Sequence, residues 1–79
     1  MYMDRRFLRI KAERLKRGWT QTELAYFARM SSADVSRIES GRMVPYRGHA
    51  LRLARVLDLQ ASELLEKVEQ SRAPLAETE

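Results

Sequence analysis

The chain has 79 residues, 44% hydrophobic and 33% charged, with three Gly, two Pro, one His and no Cys. That composition fits one small helix-leaning domain burying about 60% of its unfolded surface, and it excludes a second domain, a disulfide framework, a thiol nucleophile and a cysteine zinc site. The formal charge is +4 but uneven: residues 1–57 carry +8 and residues 58–79 carry −4, a balance that suits a polyanion partner and equally suits a solvated Arg-rich surface.

Taken in order, residues 5–17 read as a first helix. Leu8, Ala12 and Leu15 recur at helical spacing beside Phe7 and Ile10, and Gly18 is a stop. Thr20-Gln21-Thr22-Glu23 is a capping box that opens a second helix, with Leu24, Ala25, Phe27 and Ala28 on its inner side. The chain breaks at Arg29-Met30. Ser31-Ser32-Ala33-Asp34 repeats the cap and opens a third helix, with Val35 and Ile38 inward and Gly41 at its end. Residues 47–57 read as a fourth helix through Ala50, Leu51, Leu53, Ala54 and Leu57, and 61–70 as a fifth through Leu64, Leu65 and Val68. No segment shows strand period. The expectation is an all-α, compact five-helix bundle over residues 1–70, with a flexible tail at 71–79.

Residues 21–40 carry the functional signal. Two capped helices joined by about three residues have the spacing of a helix-turn-helix. Leu24, Ala28, Met30, Val35 and Ile38 supply a shared core, and Ala25 is small where the helices cross. Trp19 is expected in the core between the first two helices. Met1, Tyr2 and Met3 read as an N-terminal arm. Arg5, Arg6 and Arg9 read equally as backbone contacts or solvated charge.

With those segments in place, the chain resembles the phage repressor and Cro-like helix-turn-helix family, the Xre family. The resemblance runs through residues 10–25, Val35–Gly41, Pro45, Leu53–Leu57 and Ser62–Leu65, in order and in spacing. It implies a lambda-repressor-like fold whose second and third helices form the motif. It also implies that Gln21 holds a DNA phosphate, with help from free amides at that helix end. The third helix would lie in the major groove. Ser32, Ala33 and Arg37 would face base edges, Arg37 carrying readout through a bidentate contact to guanine worth about 1–3 kcal/mol. Ser36, Arg42 and Arg47 match backbone contacts, and Thr22 and Ser31 belong to the same surface. Arg14 and Glu39 match a semi-buried ion pair that fixes the third helix. Asp34 reads as a helix cap.

The chain departs from the family pattern at three places. Arg29 stands where Gly is usual, so either a non-Gly residue takes a left-handed turn at about 1 kcal/mol or the turn differs. Ser32-Ala33 replace long amides, which shifts readout toward Arg37 or DNA shape. Arg47 and Asp58 replace an apolar residue and a Gly, with Tyr46 expected to restore packing.

The function expected is sequence-specific binding of double-stranded DNA by a transcriptional regulator, a homodimer on a palindromic site. Leu57, Leu59, Leu64, Leu65 and Val68 read mostly as core, some as dimer surface. A competing reading keeps the fold and makes it a protein-interaction module or antitoxin-like subunit. No Gly-rich phosphate loop or His–carboxylate cluster is present, so neither enzyme activity nor a metal or other cofactor is expected. No apolar run nears the roughly 18 residues of a membrane span, and MYMDRRFLRI lacks a secretory apolar stretch. A soluble, cytoplasmic protein is the expectation.

Overall fold

A computed structural model describes residues 6–69. Strand β1 (Arg6–Leu8) runs into helix α1 (Arg9–Lys16). Helices α2 (Gln21–Ala28), α3 (Ser32–Glu39) and α4 (Arg47–Leu57) follow, then a 3-10 turn at Ala61–Glu63 and strand β2 (Lys67–Glu69). The expected arm at residues 1–3 and tail at 71–79 lie outside the described residues.

Three helix starts follow local chemistry. Thr20 Oγ1 accepts from the Glu23 amide at 3.0 Å, and Glu23 Oε1 accepts from the Thr20 amide at 2.8 Å, a reciprocal box at the start of α2. Ser31 Oγ accepts from the Asp34 amide at 3.0 Å at the start of α3. Helix α4 begins at Arg47 just past Pro45. Gly18 and Gly41, at φ +73 and +81, let the chain reverse just past α1 and α3.

The two ends correct the sequence reading. Helix α1 begins at Arg9, not residue 5, because its N-cap Leu8 has no side-chain oxygen to hold the first amides. Backbone from the far end does so instead: the Arg9 amide donates to Glu66 O at 2.7 Å and the Ile10 amide to Leu64 O at 3.0 Å. The flanking residues then continue as antiparallel strands, Phe7 opposite Val68 and Leu8 opposite Lys67. An aromatic facing a β-branched residue is a favourable cross-strand pair. The expected fifth helix is therefore a 3-10 turn followed by β2, and the described residues hold four α-helices and a two-stranded sheet, not five helices without strands. The mostly helical, helix-turn-helix-like architecture stands.

Ile10, Leu24, Val35, Ile38, Leu53, Leu57 and Leu64 are fully buried, with Ala25, Ala28 and Ala54 between the helices. Small residues at 25 and 28 let α3 close onto α2. Leu15, Phe27 and Leu51, read as inward, are exposed. On α2 the buried stripe is Leu24, Ala25 and Ala28, and Phe27 falls beyond its edge. Trp19 is half-buried rather than central, its ring 4.7 Å from that of Phe27.

Candidate nucleic-acid interface

Three residues, Arg29 to Ser31, join α2 to α3. Arg29 takes the left-handed conformation itself, at φ 58 and ψ 52, so the turn keeps its shape without glycine. Its amide donates to Tyr26 O at 3.2 Å and the Met30 amide to Ala25 O at 3.0 Å, which closes the end of α2. Met30 is half-buried over the core. Helix α3 is two-faced. Val35 and Ile38 are fully buried, whereas Ser31, Ser32, Ala33 and Arg37 are exposed and Ser36 is half-buried.

Helix α3 is tied to the body at its last residue. Glu39 Oε2 accepts from Arg14 Nε at 2.7 Å and Glu39 Oε1 from Arg14 Nη2 at 3.0 Å, a bidentate pair with side chains only 8% and 2% exposed. Arg14 Nη1 also donates to Trp19 O at 2.7 Å. The Gln21 amide Nε2 donates to Glu39 Oε1 at 3.0 Å. One carboxylate therefore joins α1, the start of α2 and the end of α3. Gln21, which the resemblance assigns to a phosphate, is half-buried and has one amide N–H committed to this carboxylate. Thr22 beside it is exposed.

Asp34 differs from its sequence reading as a carboxylate cap. Its amide is capped by Ser31, but its Oδ1 accepts from Arg37 Nη1 at 2.8 Å. The i, i+3 geometry favours this pairing along the helix surface. It leaves the Nε–Nη2 edge of Arg37 without a partner among the described residues. Arg42, exposed past α3, is placed by its amide on Arg37 O at 2.8 Å and by Nε on Ser40 Oγ at 3.3 Å. Arg47 is exposed at the start of α4. Tyr46, expected to restore packing there, is exposed, with His49 5.6 Å away ring to ring. Arg9 is paired internally, with Glu66 at 3.3 Å.

Two further arginines have structural roles that the sequence did not signal. Arg17 Nη1 donates to Glu13 Oε1 at 2.8 Å and its Nη2 to Leu57 O at 3.0 Å, which ties α1 to the end of α4. The Arg17 hydrogen bond, aided by Lys16, holds the Glu13 carboxyl below its ordinary value of 4.5, although burial opposes the shift. Arg52 Nε donates to Ala28 O at 2.7 Å. In both cases the acceptors include backbone carbonyls at helix ends, which leave no mark in a sequence.

No described helix is long and apolar enough to cross a membrane. Residues 8–68 match the family model described as a helix-turn-helix domain. No curated protein matches the chain at a significant level.

Proposed function

The chain belongs to the helix-turn-helix domain family, and from that premise we propose a sequence-specific regulator of transcription, of the Xre type, that binds duplex DNA as a homodimer on a palindromic operator. Half-sites lie about one helical turn apart, roughly 34 Å. The regulator represses by excluding polymerase. In this reading Ser32, Ala33 and Arg37 face base edges in the major groove, Gln21, Ser36, Arg42 and Arg47 contact the DNA backbone, and Thr22 and Ser31 belong to the same surface.

The observation that carries the reading is the outer face of α3, exposed from Ser31 through Ala33 and again at Arg37 over a fully buried inner face. Arg37 supports it further. With Nη1 on Asp34, the guanidinium is oriented, and its other edge suits the O6 and N7 acceptors of guanine. Gln21 adds its remaining amide N–H to the open backbone amides at the start of α2.

Selection from a random-duplex pool tests this. The wild-type chain should enrich a two-fold symmetric sequence. Arg37→Ala should relax preference at one base pair per half-site, a loss of about 1–3 kcal/mol in discrimination. An Arg37→Ala pool identical to the wild-type pool would remove Arg37 from readout. A second reading, a protein partner in place of DNA, draws on the exposed Tyr26–Phe27 ring pair, centroids 5.7 Å apart. It predicts weak, salt-insensitive association with any duplex.

A further inference from the structure

Arg52 sits on α4, away from the motif in sequence, yet it reaches the motif's turn. Its Nε donates to Ala28 O at 2.7 Å and its Nη2 to Arg29 O at 3.4 Å. These are the last carbonyl of α2 and the carbonyl of the left-handed residue that follows. The amides of Arg29 and Met30 already serve the Tyr26 and Ala25 carbonyls. Ala28 O and Arg29 O lie past the reach of those bonds, and the guanidinium fork meets both. Its positive charge also suits the negative end of the α2 dipole.

Placement gives this contact leverage. Helix α3 packs mainly on α2, and α2 in turn rests on α4. Only three residues separate α2 from α3, and Arg29 among them holds a backbone state that costs energy without glycine. A rotation at Ala28–Arg29 swings the whole of α3. We propose that Arg52 is a positioning residue for the recognition helix: its fork on Ala28 O and Arg29 O locks the turn and fixes the angle at which α3 is presented. Arg52 touches no base in this scheme; it acts on sequence discrimination through the turn. A lysine offers one point donor in place of a planar fork, so it replaces one bond and not the pair. The scheme rests on α3 being the element that reads DNA.

The test uses the full chain with Arg52→Met and Arg52→Lys, in two measurements. The first is amide hydrogen exchange. Arg52→Met should speed exchange at Met30 by about tenfold or more, with Arg52→Lys intermediate and the α1 amides unchanged. Equal protection in wild type and Arg52→Met, or uniform loss across all helices in both variants, would overturn the proposal. The second is the ratio of affinities for a duplex selected by the wild-type chain and for a random duplex. That ratio should fall about tenfold in Arg52→Met while random-duplex affinity stays within about twofold. A preserved ratio would overturn the positioning role. A wild-type chain that shows no such ratio would sink the DNA reading instead, and the exchange measurement would still decide whether Arg52 locks the turn.

Discussion

Glu13 shows how one side chain sets a pH dependence here. It accepts from Lys16 on its own helix and from Arg17 just past it, with Arg9 at 3.9 Å, while its side chain is 12% exposed. Its carboxyl lies below 4.5 in the folded chain, chiefly through Arg17. A depressed carboxyl contributes stability that is complete above its unfolded value and lost as pH falls through the folded one. Urea unfolding followed across pH should therefore lose stability below about 4.5, more gently in Glu13→Gln. Equal slopes in the two proteins would refute the assignment. Arg29 gives a different lesson at this scale. The sequence could name the alternatives, a strained residue or another turn, but not choose between them. The choice depends on tertiary support such as the Arg52 contacts at that position. Asp58 likewise takes a left-handed conformation, φ 57, as a non-Gly residue.

At the scale of elements, the Arg14–Glu39 pair is a buried, bidentate tie between α1 and α3. Removing one partner of a buried pair strands the other charge at about 3–5 kcal/mol, whereas removing both for apolar groups of similar size is often near neutral. Arg14→Met should therefore destabilise strongly, and Arg14→Met with Glu39→Met should recover most of the loss. Denaturant midpoints of the two variants measure this, and a double variant no better than the single would contradict it. Elements with local causes were legible beforehand. The Thr20 and Ser31 caps fixed the starts of α2 and α3, and the stripe from Ala50 to Leu57 fixed α4. The terminal strands were not, because each depends on a partner at the other end of the described chain. Leu64 and Val68 keep a helical spacing while serving a buried turn and a strand, and periodicity cannot tell those uses apart. For the candidate interface, sequence placed the exposed face of α3. It could not foresee that Glu39 engages Gln21, or that Asp34 turns to Arg37, since both partners depend on side-chain geometry.

Across the whole molecule, folding redistributes the charge asymmetry already present in the chain. Glu13 and Glu66 pair with Arg9, Lys16 and Arg17 of the first helix region and offset most of their charge. Arg29, Arg42, Arg47 and Arg55 are exposed and make no salt bridge among the described residues. Unpaired arginines thus run from the turn of the motif through α4, and Lys67 on β2 is likewise exposed without a salt bridge among the described residues. Binding of DNA by such a surface is driven largely by counterion release, so affinity should fall with salt by a log–log slope of roughly −0.9 per phosphate neutralised. The most direct check on the central claim is a residue-resolved NMR titration of the full chain with a duplex that it selects. The largest amide shifts should fall on Ser32 to Arg37, with Gln21 and Arg42 beside them. Shifts confined to Tyr26 and Phe27, or none at all, would contradict the account.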